Sequence, residues 1–355
     1  METRVKKALT CRDLPPYRIE ENLNTTYLPK AGDVALFRVL QIGKHNRLQN
    51  DDGKNRYIFP NDLILCAFGN RYATNQIEGY VPDRILEEYH ILGQGGVVGE
   101  VRSMFKPLEE QGPTTLELIG YAVDQEGRVI NTKWPVSKLS QAASFAKIRS
   151  KVILSLGTSM DSGKTTTAGY LCRGLSRADK SVAYLKLTGT IFGKDPGFAY
   201  DCGADTVMDF SHFGFPSTYL CSEEELLLLF DALLSKLASS APDYVVVEIA
   251  DGLLQRETRM LLTHPGFMQK VHSVIFSAGD SLGVLSGLQI LEEWGIRPFA
   301  VGGCFTMSPL LIQEVKENCA IDVLTLDQLE EPVMHRYFEL EPKLQPVREI
   351  RSHVA

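Results

Sequence analysis

The sequence contains no apolar run long enough to span a membrane and no Cys-x-x-Cys pair. Its seven cysteines are scattered along the chain, a distribution that favours reduced thiols over a disulfide framework. The N-terminal residues are charged and proline-rich and have no apolar signal core. We therefore expect a cytoplasmic protein that has no membrane partner.

The sequence also has no excess of positive charge. The chain has 37 Lys and Arg residues against 44 Asp and Glu residues, which gives a net charge of -7 over 355 residues. Proteins that bind nucleic acid carry a basic surface to neutralise phosphates, so this balance argues against nucleic acid as the main partner. Internal repeats and low-complexity tracts are absent, and the apolar content of 44% suits ordinary globular domains.

Changes in composition along the chain predict five segments. Residues 1–30 are polar and interrupted by prolines, which is typical of a loosely structured lead-in. Residues 31–135 contain many short strand-like runs separated by turns, which predicts a small β-barrel or sandwich. A polar connector follows at 136–150. Residues 151–330 alternate between strand and helix patterns, and a charged tail occupies 331–355.

The β-rich segment has one loop with functional potential. Strand-like runs cover residues 34–42, 56–59, 63–68, 95–101, 116–123 and 128–131. After the third run, Arg71 and Tyr72 follow closely on Gly69. Two interpretations stay open: this loop contacts a ligand, or it is a barrel corner with a solvated arginine.

The alternation in residues 151–330 predicts an α/β fold with a doubly wound, mostly parallel sheet. Predicted strands are 152–156, 182–187, 244–249, 271–276, 299–302 and 322–326. Predicted helices are 164–177, 223–237, 253–262, 282–294 and 310–318. In such sheets ligands bind beyond the carboxyl ends of the strands, so chemistry is expected in the loops that follow them.

The loop after the first of these strands has the pattern of a phosphate-binding loop. Gly163-Lys164-Thr165 opens a helix after an apolar strand, and Gly157 ends that strand. Backbone N–H groups and the helix N-terminus would face phosphates, Lys164 would neutralise them, and Thr165 would ligate Mg²⁺. The predicted cofactor-binding residues are Gly157, Thr158, Asp161, Ser162, Gly163, Lys164, Thr165 and Thr166.

Charged residues end two further strands of this sheet. Glu248 closes an apolar strand and Asp251 lies in the following turn, where a metal or a terminal phosphate lies in folds of this kind. A simple turn role stays open for Asp251. Lys186 ends the second strand, where a phosphate or a substrate carboxylate would be a suitable partner. We expect Lys164, Lys186, Glu248 and Asp251 to be catalytic.

The stretch from Gly157 to Thr166 resembles the phosphate loop of dethiobiotin synthetase, including the extra residue between the two glycines and an acidic residue at Asp161. Lys186, Glu248 with Asp251-Gly252, and the turn at Phe276–Gly283 resemble later motifs of that family. The resemblance covers residues 150–325 and leaves out the β-rich segment. The family has Lys-Pro where this chain has Lys186-Leu187, a difference that leaves the acceptor open.

The resemblance implies a SIMIBI-class P-loop NTPase domain, here in a branch with a smaller N-terminal β-barrel-like domain. It implies Mg-ATP as cofactor, with Lys164 and Lys186 stabilising phosphoryl charge and Thr165 and Glu248 holding Mg²⁺. A third metal ligand is expected in the loop after the second strand. We assign it to Asp205, with Asp195 and Asp201 as the alternatives.

These observations predict an enzyme that uses ATP and Mg²⁺ to phosphorylate or activate a small-molecule acceptor. The absence of an Asn-Lys-x-Asp motif favours ATP over GTP. Two alternatives stay open. One is a group transferase that uses an acyl-CoA, and the other is a nucleotide-switched maturation factor or metallochaperone. The resemblance also makes a homodimer an expectation.

Overall fold

The computed structural model describes residues 5–143 and 149–339, and the chain divides into two units. The barrel unit contains the chain up to Gln141 together with Thr188–Lys194 and Asp209–Glu225. Among the described residues, the sheet unit contains 142–143, 149–187, 195–208 and 226–339. Two segments from within residues 151–330 therefore belong to the barrel unit, although their sequence gave no sign of it.

Within the described residues, the barrel unit has ten strands. They are β1 Val5–Lys7, β2 Arg18–Glu20, β3 Val34–Gln41, β4 Arg47–Gln49, β5 Asn55–Tyr57, β6 Leu63–Phe68, β7 Ile77–Tyr80, β8 Tyr89–Gly93, β9 Val97–Met104 and β10 Thr115–Val123. Neighbours pair in the order β6-β3-β10-β8-β9, and β9 pairs again with β6. The pairing closes a ring, which confirms a barrel-like β domain.

The N-terminal residues differ from the predicted lead-in. Strand β1 pairs in parallel with β6, and Leu9, Thr10 and Cys11 in the following turn are buried. This part of the chain completes one side of the barrel. In contrast, the strand-like run 128–131 contributes only isolated bridges, at Val129 and Asn131.

The two inserted segments are held inside the barrel unit by backbone and side-chain hydrogen bonds. The Gly193 backbone N–H donates to Gln49 Oε1 at 2.8 Å, and the Ile191 N–H donates to the Pro216 carbonyl at 3.0 Å. The Thr132 hydroxyl donates to the Gly214 carbonyl at 2.7 Å. These contacts join residues far apart in sequence.

The chain continues with alternating helices and strands, most of them in the sheet unit. In order they are α1 Val136–Ala142, β11 Lys151–Gly157, α2 Lys164–Arg177, β12 Val182–Lys186, α3 Lys194–Asp201, β13 Thr206–Asp209, α4 Glu223–Leu237, β14 Tyr244–Glu248, α5 Arg256–Leu262, α6 Pro265–Met268, β15 Ser273–Ser277, α7 Ser281–Glu293, β16 Ala300–Gly302, α8 Pro309–Asn318, β17 Asp322–Val323 and α9 Leu326–Leu329.

In the part of the chain that the structure describes, the sheet of this unit has seven strands in the order β13-β12-β14-β11-β15-β16-β17. Pairs around the centre are parallel, with β11 between β14 and β15. The central strands are Val-, Ile- and Leu-rich and buried, as expected for strands covered on both faces. The prediction of a doubly wound, mostly parallel sheet is confirmed, and strand β13 is an addition to it.

Helix α2 covers one face of this sheet. Its apolar residues Ala168, Leu171, Cys172 and Leu175 are fully buried, as their helical spacing predicts. Met334 and Phe338, from the first part of the predicted tail, join the same core. The rest of the tail and residues 144–148 of the connector lie outside the described residues. No helix in the described ranges is long and apolar enough to cross a membrane.

Candidate functional site

The loop between β11 and α2 depends on two glycines. A Cβ atom at Gly157 would lie 2.2 Å from the Ser162 hydroxyl oxygen. Gly163 has a φ of 96°, in the left-handed region, and a Cβ there would lie 2.9 Å from Gly303 Cα. Any larger residue at either position would displace the loop, so the glycines fix its path into α2.

Neighbouring turns of the sheet unit hold this loop in place. The Thr158 N–H donates to the Ser277 carbonyl at 3.0 Å, and the Cys304 N–H donates to the Ser162 carbonyl at 3.0 Å. Asp161 has a φ of 62°, and its carbonyl accepts from the Cys304 thiol at 3.2 Å. The loop is thus organised by the protein itself. The turn at Cys304 was not among the predicted site residues.

Ser162 leaves a buried polar atom without a partner. Its side chain is buried, and its hydroxyl oxygen has no hydrogen-bond partner among the described residues. A buried hydroxyl without a partner is costly and uncommon in folded proteins. A phosphate oxygen at the loop would supply the missing acceptor.

Lys164 is buried at the start of α2. Its Nζ donates to the Ser159 carbonyl at 2.9 Å, so the ammonium group is held inside the loop by a neutral acceptor. Burial lowers the pKa of Lys164, and the charges of Glu248, Asp251 and Asp161 oppose this shift in part. A buried cation whose hydrogen bond goes to a carbonyl is well placed to receive an anion.

Glu248 ends β14 and is 1% exposed. One carboxylate oxygen accepts from the Thr165 hydroxyl at 2.9 Å, and the other accepts from the Tyr184 hydroxyl at 2.6 Å. Burial would raise the pKa of Glu248, but the charges of Lys186 and Lys164 and these two hydrogen bonds outweigh it and lower the pKa. The carboxylate is therefore charged at neutral pH.

Lys186 lies beside Glu248 because the two residues are register partners on β12 and β14. The distance from Lys186 Nζ to Glu248 Oε1 is 3.6 Å. The same ammonium group forms an ion pair with Asp195 in the first turn of α3. Lys186, Glu248 and Asp195 thus meet at the carboxyl ends of β12 and β14, the edge where ligands bind in sheets of this kind.

The three candidate aspartates have different positions. Asp195 contacts Lys186, whereas Asp205 accepts from the Val182 N–H at 2.8 Å, at the amino end of β12. Four residue steps separate Val182 from Lys186, roughly 13 Å along a strand. Asp205 is therefore not brought to Thr165 and Glu248, because α3 carries the chain back to the start of β12. Asp201, the last residue of α3, is exposed.

The turn after β14 lies against the phosphate loop. A Cβ at Gly252 would lie 1.9 Å from the Thr158 carbonyl oxygen, so only glycine allows this approach. Asp251 has a φ of 63°, and its charge acts on Lys164. Thr166 is half-buried on the first turn of α2. Tyr184 was not predicted, and its only sequence signal is a hydroxyl inside an otherwise apolar strand.

These residues fit a magnesium ion bound together with a phosphate group. Mg²⁺ is commonly held by one or two carboxylate or hydroxyl ligands plus phosphate oxygens. Thr165 and Glu248 provide such a pair, and Lys164, Lys186 and the Ser162 hydroxyl provide donors for phosphate. Within residues 5–143 and 149–339, no group of three or more His, Cys, Asp or Glu residues could hold a metal on its own.

Comparisons with known proteins give distant structural similarities only. No protein-family model matches the sequence, and no curated protein matches it significantly. Similar solved structures include the signal recognition particle receptor FtsY from Elizabethkingia anophelis, with 16% identity, 57% of this chain and 71% of that chain covered, and a TM-score of 0.37. The signal recognition particle 54 kDa protein from Aeropyrum pernix has 18% identity, coverages of 57% and 51%, and a TM-score of 0.33.

The kinase domain of the Escherichia coli tyrosine kinase ETK is also similar, with 16% identity, 44% of this chain and 68% of that chain covered, and a TM-score of 0.31. All three TM-scores are below 0.5, so these similarities assign no activity. The fold described above rests on the strand order of this chain, and its chemistry rests on the residues around Lys164 and Glu248.

Proposed function

We propose that this protein is a P-loop NTPase of the SIMIBI class that uses Mg-ATP to phosphorylate or activate a small-molecule acceptor, in the manner of dethiobiotin synthetase. One observation carries the proposal. The Thr165 hydroxyl contacts the Glu248 carboxylate at 2.9 Å, and Thr165 directly follows the buried Lys164 at the start of α2. A hydroxyl and a charged carboxylate in contact beside a buried lysine are the ligand set that a magnesium-bound phosphate needs.

Each residue has a distinct role in this proposal. Thr165 and Glu248 would hold the metal, and Tyr184 orients the Glu248 carboxylate by donating to its second oxygen. Lys164 and the N-terminus of α2 would bind phosphate oxygens. Mg-ATP, when bound, supplies an activated phosphoryl group for transfer.

Lys186 is the residue best placed to act on the acceptor side. It is held between Glu248 and Asp195, so its ammonium group has a fixed position at the rim of the sheet. A fixed cation there would stabilise negative charge on the transferred group or on an acceptor carboxylate without reorganisation. We therefore include Asp195 in the site as the residue that positions Lys186.

A thermal-shift panel tests ligand class first. Purified protein is heated with ATP, GTP or an acyl-CoA, each with and without Mg²⁺, because a ligand that binds the native state raises the melting temperature. The proposal expects the largest shift with ATP plus Mg²⁺. A shift with acyl-CoA alone would instead favour the group-transferase alternative.

Glu248→Gln separates metal binding from nucleotide binding. The variant removes one negative charge but keeps the shape of the side chain, so the apparent Mg²⁺ affinity should fall about tenfold or more while ATP binding changes less. The matched control is Glu293→Gln, an exposed carboxylate at the end of α7. An unchanged Mg²⁺ requirement in Glu248→Gln would remove Glu248 from the metal site.

A second candidate function is a nucleotide-switched binding protein. The observation that favours it is the path of the chain, which enters the barrel unit one residue after Leu187 and returns to the sheet unit at Asp195. A change at Lys186 or Asp195 would therefore act on a segment anchored in the barrel. Phosphate release that requires a small-molecule acceptor supports the enzyme, whereas slow hydrolysis stimulated by a protein partner supports the switch. The expected homodimer stays a prediction.

A further inference from the structure

The barrel unit carries an exposed two-stranded ribbon. Strands β4 and β5 pair with each other and form an antiparallel sheet of their own, separate from the strands of the ring. The Ile58 N–H donates to the Asn46 carbonyl at 3.1 Å, so the pairing continues past the end of β5. We call residues 46–49 and 55–59 the ribbon.

The two faces of the ribbon differ in character. Leu48 and Ile58 are 0% and 2% exposed, and both belong to the apolar core of the barrel unit. Because successive side chains of a strand point to opposite faces, Arg47, Tyr57 and Phe59 face away from that core. Tyr57 is 53% exposed and Phe59 is 60% exposed. The core thus fixes the ribbon and leaves two aromatic rings in solvent.

Cations are interleaved with these two rings. The Arg47 guanidinium lies 4.2 Å from the centroid of the Tyr57 ring, its register partner on β5, and donates to the Tyr57 hydroxyl. Lys6 Nζ, from β1, donates to the Tyr57 carbonyl at 2.8 Å and lies 5.5 Å from the centroid of the Phe59 ring. A cation covers only one face of a ring, and more than half of each side chain is exposed, so the opposite faces reach solvent.

Positive charge on this surface is only partly balanced by the protein. Two of the cations have carboxylate partners, in the pairs Lys6–Asp62 and Arg56–Asp52. Arg47 and Lys54 have no carboxylate within ion-pair distance in the described part of the chain. A guanidinium group has five donors, and one contact with the Tyr57 hydroxyl leaves most of them for another acceptor. The ribbon therefore combines open aromatic faces with unbalanced positive charge.

The loop at Arg71, in the same unit, has the opposite character. Arg71 is 8% exposed, and its side chain donates to the Leu92 carbonyl and to Gln76 Oε1. The sequence alternative of a solvated arginine at a barrel corner is therefore wrong. Arg71 is engaged by the barrel unit itself, whereas Arg47 is exposed and lies against a ring that reaches solvent.

We propose that the ribbon binds single-stranded nucleic acid, with bases stacked on Tyr57 and Phe59 and phosphate groups contacted by Arg47. Unpaired bases stack on aromatic rings, and this stacking tolerates any sequence because every base has a flat face. Tyr57 and Phe59 are two residues apart on one face of a strand, a spacing of roughly 7 Å. Stacked bases are about 3.4 Å apart, so the two rings suit bases that have been splayed apart.

The negative charge of the whole chain limits the extent of this site. A broad basic surface is missing, which argues against nucleic acid as the main partner, so we expect a short and salt-sensitive contact with a few nucleotides. A duplex keeps its bases stacked and paired and offers the rings no free base face. The ribbon lies within the barrel unit and does not depend on the proposed function of the phosphate loop.

Fluorescence anisotropy with two labelled probes tests the site in the full-length chain. The probes are an oligouridylate and an oligothymidylate of about 12 nucleotides, within the range of site sizes of small barrel domains. Both lack terminal phosphates, and the titrations contain no Mg²⁺, which keeps the phosphate loop from contributing a metal-bound phosphate. An unlabelled duplex of the same length is the competitor.

The variants Tyr57→Ala and Phe59→Ala should each bind at least one probe about tenfold more weakly, because each removes one stacking surface. Phe105→Ala is the matched control. It removes an aromatic ring that is 42% exposed elsewhere in the same unit, and it should bind like the unchanged chain. Arg47→Gln should reduce the slope of log K against log salt by about 0.7, the change for one phosphate contact with a single strand. A purely structural role of Arg47 would leave this slope unchanged.

The two probes distinguish the sources of the ligand. Tighter binding of the oligouridylate identifies RNA, tighter binding of the oligothymidylate identifies DNA, and equal binding identifies both. Binding of neither probe, unchanged affinity in Tyr57→Ala or Phe59→Ala, an equal loss in Phe105→Ala, or equal competition by the duplex would overturn the proposal.

Discussion

The two units both bury cations, but they surround them differently. In the sheet unit, Lys186 lies between Asp195 and Glu248, and each of these carboxylates is in ion-pair distance of its ammonium group. In the barrel unit, Lys44 and Arg71 share the neutral Gln76 oxygen. Lys186 is thus balanced by carboxylates of the protein itself, whereas the Lys44 ammonium group donates to a neutral oxygen and forms no ion pair within the described residues.

This difference separates two surroundings for a partly buried lysine. Where opposite charges are paired, the side chains are held in place before any ligand binds. Removing one partner leaves a buried charge without compensation, which strongly lowers the free energy of unfolding. Where like charges lie close together, as Lys44 and Arg71 do, their repulsion lowers the stability of the folded chain. Replacing Lys186 should therefore lower the free energy of unfolding, whereas replacing Lys44 should not.

The largest effect is expected for Lys186→Gln compared with Lys44→Gln. Removing Lys186 leaves Asp195 without its cation and takes away one of the two lysine charges that act on the buried Glu248, so the free energy of unfolding should fall by about 3 kcal/mol. Removing Lys44 takes away one of two adjacent positive charges, so stability should stay equal or rise by less than about 1 kcal/mol. Urea denaturation in buffer free of phosphate and carboxylate measures both.

Lys186→Gln and Lys44→Gln can be compared directly, because both replace a lysine by the same neutral residue. Lys316→Gln, at an exposed position of α8, reports the cost of changing a surface lysine. If Lys186→Gln and Lys44→Gln lowered stability by the same amount, the distinction between balanced and unbalanced cations would fail.

A smaller effect on the free energy of unfolding is expected from the titration of His45. Burial beside Arg71 and Lys44 lowers the pKa of His45, so the folded chain binds fewer protons than the unfolded chain below the ordinary histidine pKa of 6.5. Stability is therefore fully present above pH 6.5 and is lost as the pH falls towards the folded pKa, by up to about 1.4 kcal/mol per pH unit. His45→Gln should remove this part of the slope.

Urea denaturation of both proteins between pH 7 and pH 5 measures the difference in slope. His90 and His272 also have pKa values lowered by burial, but they are present in both proteins and cancel in the comparison. Parallel pH profiles for the unchanged chain and His45→Gln would show that His45 is not held neutral by its surroundings.

The sheet unit could be predicted from sequence because its signals are local. Residues 152–177 alone predict β11, the loop and α2. The signals are an apolar strand, the glycine pattern and apolar residues at helical spacing, and none of them depends on distant residues. Strand β13 was missed because Thr206–Asp209 is short and half polar. The assignment of the third metal ligand to Asp205 depended on the direction in which α3 carries the chain, and the sequence does not show that direction.

The barrel unit was predicted less completely because its structure depends on long-range pairing. Strands β7 and β8 were missed, and Thr188–Lys194 has no feature that indicates a place in the barrel. The contacts of Lys44 and Arg71 with Gln76 show the same limit. Lys44 and Arg71 are far apart in sequence, and only closure of the ring brings both to Gln76.

The most direct test of the phosphate-binding loop is a calorimetric titration of Mg-ATP into three proteins: the unchanged chain, Lys164→Ala and Lys316→Ala. We expect one Mg-ATP site per chain in the unchanged protein and in Lys316→Ala. We expect a loss of about 100-fold or more in Lys164→Ala, whose fold is retained because the lysine charge is needed only by the phosphates. Equal affinity of Lys164→Ala and the unchanged chain for Mg-ATP would contradict the assignment of a phosphate-binding loop.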